Sequence, residues 1–299
     1  MERTERFGLA DRIIQVGFWV NAFLMVMKLL AGYFGRSEAV FADGMESACD
    51  FIALLSTMVA LRIGRQPFDA DHPYGHGRAE TLSAIFIALI IFATGGWILF
   101  NSAQTVIHGR YATPEPVAVV AALLTIIIKE WLYRYSIKAG KRLTSPALLA
   151  VAKDHRKDAV TSVATLVGVT GAYFGIRIMD PLAAGLTAFF IFHIGWETFR
   201  TAAHELMDGS LDSELLVDIT AIAEAVAGVE HVHEIRGRRS GQYFIIDLKL
   251  DMDPLMTVKE SHDIATEVKR QVFIRHPNVG DVMIHINPHD EDHEDLIRL

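Results

Sequence analysis

Two acidic pairs, Glu46-x-x-x-Asp50 and Asp154-x-x-x-Asp158, lie inside stretches otherwise apolar enough to cross a bilayer. Residues four apart on a helix share one face, so each pair projects its carboxylates to one side. At a rise of ~1.5 Å per residue, Glu46 lies ~14 Å into a helix starting near Ser37. By the same rise, Asp154 lies ~12 Å into a helix starting near Pro146. If the two helices enter from opposite faces of a ~30 Å hydrocarbon core, all four carboxylates meet near its middle. Uncompensated anions at that depth are costly, so a cation or protons must share the space. Four carboxylates suit one divalent ion, whose arrival displaces protons and whose departure takes them back.

The plainer reading pairs these acids with Lys28, Lys129, Lys153, Arg156 or Lys157, merely holding helices together. Ionisable groups inside a membrane are functional candidates by default, which favours the cation site. Asp43, three residues before Glu46, either assists or pairs near the outer end. His155 points about 100° away from Asp154 and is the weaker ligand. Cys49 is off the acidic face and reads as an apolar helix residue.

A second constellation is the loop Asp69-Ala-Asp-His72-Pro-Tyr-Gly-His76-Gly-Arg78-Ala-Glu80. Pro73 and Gly75 prevent a regular helix, so His72 and His76 can converge on one point, with Asp69 as a third ligand. Imidazoles with a carboxylate suit a transition metal. No His-Glu-x-x-His run occurs, so this is not a zinc-protease helix. Further along, His231, His233, Asp247, His262, His285 and His289 fall on strands or near element ends. Singly each reads as a solvated group; together they permit one or two metal sites. The tail from His289 to Asp295 reads as an acidic disordered end that at most collects cations weakly.

Six spans position these groups, at about 13–34, 38–62, 81–107, 116–137, 146–175 and 181–203. Gly35-Arg36-Ser37, then His108-Gly109-Arg110 with Pro114 and Pro116, then Asp180-Pro181 punctuate them. The fifth carries Lys153 through Asp158, and a hydropathy window alone would lose its first half. Arg3, Arg6, Arg12, Arg62, Arg65, Arg78, Arg134, Lys138, Lys141 and Arg142 gather on one side. Arg36, Arg110 and Arg177 are nearly all that the other side offers. The positive-inside rule then places both termini in the cytoplasm and runs spans two and five in opposite directions.

From about Met207 the pattern becomes that of a charged, soluble domain. Leu211–Ala227 is an amphipathic helix, with Asp212 as N-cap and Gly228 as stop. His231–Arg239 and Gln242–Asp251 read as strands about Ser240-Gly241, Val258–Ile274 as a helix, and Val282–Ile286 as a third strand. The fold expected is therefore an α-helical membrane protein with six transmembrane helices over residues 1–206. A C-terminal α+β domain, αββαβ and ferredoxin-like, follows over 207–299.

The net charge of −8 gives no reason to expect nucleic-acid binding. The single cysteine excludes an internal disulfide framework and any multi-cysteine zinc site. The polar start MERTERFGLADR does not read as a cleaved signal peptide, and without a targeting extension a bacterial cytoplasmic (inner or plasma) membrane is expected. No nucleophile–base arrangement of an intramembrane enzyme is evident.

Three runs carry a family resemblance: Ala42 through Asp50, the His-Pro-Tyr-Gly-His-Gly-Arg-Ala-Glu run ending at Glu80, and Asp154 through Ser162. With the six spans and the αββαβ domain, nearly the whole chain resembles the cation diffusion facilitator family of divalent-metal transporters. The resemblance implies a transport site at Glu46, Asp50, Asp154 and Asp158, and a loop site at Asp69, His72 and His76. It implies cytoplasmic metal sites at His233, Asp247, His262 and His285, and a charge pair between Arg78 and Asp208. It further implies homodimers that alternate between inward- and outward-facing states. Many zinc exporters of the family have a histidine within the quartet, where this chain has Glu46 and Asp154. An all-oxygen set favours harder ions, so Mn²⁺ or Fe²⁺ ranks above Zn²⁺ as substrate and regulator. The family's histidine-rich cytoplasmic loop is missing from Ser136–Ser145.

The function expected is metal efflux in exchange for protons, by a homodimer in a lipid bilayer. The alternatives are a proton-independent divalent-cation channel and a membrane-tethered metal sensor.

Overall fold

The structure, a computed structural model, describes residues 3–289. Six long helices come first: α1 (Arg3–Phe34), α2 (Glu38–Gly64), α3 (Ala79–His108), α4 (Pro116–Leu143), α5 (Pro146–Tyr173) and α6 (Met179–Leu206). Five of them are long and apolar enough to cross a membrane, and α5 alone of the six falls short. Its charged run from Lys153 to Asp158 lowers the hydropathy, as anticipated, yet the helix continues unbroken to Tyr173. Ser145 caps α5 by accepting from the Leu148 N–H at 3.4 Å, and Pro146 supplies the preset first-turn φ.

Packing among these helices is inverted relative to a water-soluble bundle. Alanines fill the interior: Ala39, Ala42, Ala118, Ala122, Ala184 and Ala188 are all nearly inaccessible. Trp19, Phe23, Phe86, Leu89, Phe189 and Phe190 instead face outward. In lipid, burying large apolar groups brings little gain, and small residues let helix backbones approach. Cys49 sits in such a cluster with Ala42, Ile91 and Ala188, the apolar role expected of it.

The chain divides into two compact units, and the ends of α2, α3 and α6 belong to the second together with the C-terminal residues. In that second unit α7 (Ser213–Glu224), β1 (His231–Ser240), β2 (Tyr243–Met252), α8 (Val258–Arg275) and β3 (Val279–Pro288) give the αββαβ order. β1 pairs antiparallel with β2, and β2 pairs parallel with β3, so β2 is central. Ile246, Leu248 and Leu250 on one face of β2 are buried with Ile219 of α7 and Val268 and Val272 of α8. α8 opens on a capping box between Thr257 and Glu260. α7 is shorter than its sequence pattern: Asp212 stands at the N-cap without a side-chain capping bond, and the helix ends before Gly228. β3 is longer than expected, because pairing with β2 runs from Val279 to Pro288.

Candidate metal sites

Asp50, Asp154 and Asp158 line one cavity of about 370 Å³, together with Phe18, Asn21, Ser47, Lys129 and His155. α2 thus presents Asp50, and α5 both Asp154 and Asp158, to the same space; the i,i+4 spacing puts the α5 pair on one face, and helix packing turns that face toward Asp50. Glu46 does not line this cavity but lies within Coulombic range of Asp50 and Asp158. The cavity wall continues to Leu54, one turn past Asp50, and to Val151, one turn before Asp154. It therefore reaches the carboxylates from the bundle end that carries the finish of α2 and the start of α5.

The nearby bases divide among these acids unequally. Lys28 donates to Asp43 at 2.8 Å and to Ser47 at 2.9 Å, and Asp43 also accepts from Ser162 at 3.2 Å. Asp43 is thereby tied into a buried network joining α1, α2 and α5. Arg156 turns to Glu130 at 2.5 Å. Lys129 donates to Asp158 at 2.7 Å and to Asn21 at the same distance. Among the described residues, no base makes an ion pair with Glu46, Asp50 or Asp154.

His155 was the weaker ligand on angular grounds, yet its ring is buried, lines the same cavity, and its Nε2 has no hydrogen-bond partner among the described residues. The ring lies beside Gly17 of α1, where a Cβ would stand 3.6 Å from Nε2, an ordinary contact. Helical spacing gives an angle from Asp154 but not the neighbours: α1 and α4 complete the cavity wall with Phe18, Asn21 and Lys129. Asn21 carried no sequence signal at all, being one polar residue in an apolar span.

Asp69, His72 and His76 offer ligand atoms that all lie within 4.8 Å of one another. The Asp71 and His72 N–H groups donate to Asp69 Oδ1 at 3.0 and 2.7 Å. These bonds, the His72 N–H foremost, hold the Asp69 carboxyl below the usual carboxylate range. His76 Nδ1 is 3.2 Å from the Pro67 carbonyl, which can only accept, so the proton belongs on Nδ1. His76 Nε2, 3.5 Å from Asp69, is then left with a lone pair facing the cluster. Pro73 and Gly75, the latter at φ +80°, give the turn that brings the two imidazoles to 4.5 Å between ring centres.

The residues expected to form cytoplasmic sites are not gathered within one chain. Among the described residues, Asp69, His72 and His76 are the one such group of three or more potential ligands. Asp247 lies 3.6 Å from Arg238, and His233 lies 3.6 Å from Asp251. His262 is exposed on α8, and His285 is exposed on β3 opposite Lys249. The Arg78–Asp208 pair does form, and Arg78 also donates to the Leu206 carbonyl at 3.2 Å.

An inside-out helical bundle with three aspartates around one cavity, followed by a small α+β domain, defines a multi-pass membrane protein of the cation-transporting class. The sequence pattern of the cation efflux transmembrane domain matches residues 14–207, and that of the cation efflux protein cytoplasmic domain matches residues 211–289. The chain belongs to the cation diffusion facilitator, or cation efflux, family of transporters. It is 35% identical to the manganese efflux system protein MneP of Bacillus subtilis (strain 168), over 97% of this chain and 99% of that one. It is 33% identical to metal tolerance protein C1 of Arabidopsis thaliana, over 93% of this chain and 62% of that one. It is 31% identical to the magnetosome protein MamB of Paramagnetospirillum magneticum (strain ATCC 700264 / AMB-1), over 93% of this chain and 94% of that one.

Proposed function

We propose that this chain exports a divalent metal from the cytoplasm in exchange for protons. It does so as a homodimer that alternates access to the Glu46, Asp50, Asp154 and Asp158 quartet. The observation that carries this reading is the single cavity shared by Asp50, Asp154 and Asp158. Carboxylates bind metal in their deprotonated form, so loading from the cytoplasm expels protons and protonation from outside expels metal. The cavity runs toward the bundle end that the positive-inside rule places in the cytoplasm, which suits an inward-facing state.

Manganese or ferrous iron ranks above zinc as the cargo, because the quartet supplies oxygen alone. The manganese efflux relative agrees with that ranking. Asp69, His72 and His76 form a second, loop metal site. His233, Asp247, His262 and His285 would serve as sites across the dimer interface. Both termini lie in the cytoplasm, and the membrane is the cytoplasmic (inner or plasma) membrane.

The test is metal uptake into proteoliposomes carrying a pH-sensitive dye, comparing Mn²⁺, Fe²⁺ and Zn²⁺. Asp50→Ala or Asp158→Ala is expected to abolish metal movement and its counter-flux of protons, with folding and dimerisation intact. Metal flux without proton flux would instead identify a channel. Wild-type transport by either variant would overturn the site assignment, and quartet-independent responses of the soluble domain would identify a sensor.

A further inference from the structure

The cavity that holds the aspartates already holds a cation of the protein's own. Lys129, on α4, is buried, with its side chain 7% exposed. Its ammonium lies 2.7 Å from Asp158 Oδ2 and 2.7 Å from Asn21 Oδ1 of α1. A divalent ion using that carboxylate oxygen must approach to about 2.0–2.6 Å, depending on the metal. An ammonium hydrogen-bonded to that oxygen competes for its lone pairs, and two cations so close repel one another. Metal and ammonium therefore compete for Asp158 Oδ2.

A purely structural role, fastening α4 to α5, is already filled elsewhere: Arg156 bridges to Glu130 at 2.5 Å and lies over the Tyr133 ring. Asn21 adds what a simple fastener does not need. It is a second acceptor on a different helix, able to keep the ammonium hydrogen-bonded after it leaves Asp158. Lys157 also lines the cavity, but it makes no direct ion pair with an aspartate among the described residues.

We infer that Lys129 is a tethered cation that holds Asp158 between transport cycles, retracts onto Asn21 when metal binds, and returns to speed metal release. This rests on the quartet being the transport site. Lys129 is a positioning residue, setting affinity and release through Asp158.

The test measures Mn²⁺ binding by calorimetry, and Mn²⁺ transport in proteoliposomes, for the full-length wild type, Lys129→Gln, Lys129→Met, Lys129→Arg, Asn21→Leu and Asp158→Asn. Removing the ammonium is expected to tighten Mn²⁺ binding about tenfold or more, with KM and kcat falling together because release slows. Lys129→Arg, which keeps the charge, is expected to stay near the wild-type affinity. Asn21→Leu is expected to weaken binding, since the ammonium then has only Asp158, and to have no effect when combined with Lys129→Gln. Loss of packing alone does not tighten binding, and Asn21→Leu, which keeps the charge in place, separates competition at Asp158 from the general field of the ammonium. Unchanged or weaker Mn²⁺ affinity in both folded Lys129 variants would overturn the inference. If neither variant folds, an Asn21→Leu variant that binds Mn²⁺ like the wild type would overturn it instead. Wild-type binding by Asp158→Asn, both alone and combined with Lys129→Gln, would fail the transport-site reading itself.

Discussion

The Asp180 carboxylate, at the start of α6, accepts from the Ser37 hydroxyl at 2.5 Å and from the Glu38 N–H at 2.7 Å. A residue 142 positions away along the chain thereby caps the first turn of α2. Its negative charge sits at the positive end of the helix that carries Glu46 and Asp50. Asp180→Ala is expected to cost about 1–2 kcal/mol, the upper part of the range for a lost cap. Asp180→Asn, which keeps an acceptor, is expected to cost less. Thermal unfolding of the purified protein in detergent measures both, and equal losses would mean that charge, not capping, is what matters.

α5 and α6 meet where Gly168 faces Ala183. A Cβ placed on Gly168 would stand 2.3 Å from the Ala183 Cβ, far inside contact distance. Neither atom can rotate away, so Gly168→Ala must push the helices apart. The expected destabilisation is about 1–3 kcal/mol, typical of overpacking. Because α5 also carries Asp154 and Asp158, metal affinity is expected to fall with it. Ala183→Gly in the Gly168→Ala background should recover much of both, read by unfolding temperature and by Mn²⁺ calorimetry.

Much of this arrangement is written locally in the chain and some of it is not. Turn chemistry at Gly35-Arg36-Ser37 and Pro116 divides the helices, and the i,i+4 spacing puts Asp154 and Asp158 on one face. Pro73 and Gly75 announce that His72 and His76 converge. All of these depend on neighbours within a few residues. Lys129 choosing Asp158, Lys28 choosing Asp43, and Asp180 reaching α2 depend on which helices pack together. Periodicity gives each helix a face but does not say which other helix it meets. His155 shows the same limit: the angle from Asp154 is fixed by the helix, while its burial is fixed by α1 and α4.

The loop carboxylate Asp69 allows a pH prediction with a definite sign. Its folded pKa is depressed by the His72 and Asp71 N–H groups and by the His72 ring. The order it contributes is thus fully present above the ordinary carboxyl range, near pH 4. That order is lost only as pH falls below that range, through the lowered value. Hydrogen exchange of the Asp71 and His72 amides is expected to stay protected at pH 5 and to be lost in stronger acid. Asp69→Ala should remove that protection at every pH. Loss of protection in the wild type already at pH 5 would show that another group governs the loop.

Arg78 secures the end of α6 by two contacts, one to the Asp208 carboxylate and one to the Leu206 carbonyl. Asp208 has φ +55°, a left-handed conformation that Asp tolerates better than most residues, and Gly209 follows with its N–H on the His204 carbonyl at 2.9 Å. The ion pair is substantially exposed, at 40% for Arg78 and 51% for Asp208, so by itself it is worth only about 0.2–1 kcal/mol. Arg78→Ala should therefore shift thermal stability little. The charge swap Arg78→Asp with Asp208→Arg should not restore the native contact, since Asp cannot donate to the Leu206 carbonyl and Arg is less suited to the left-handed position. If the contact only stabilises, transport by Arg78→Ala will fall in proportion to the folded fraction. A tenfold loss of transport, with unfolding shifted by less than about 1 kcal/mol, would instead show that the Arg78 contact transmits the movement of the spans.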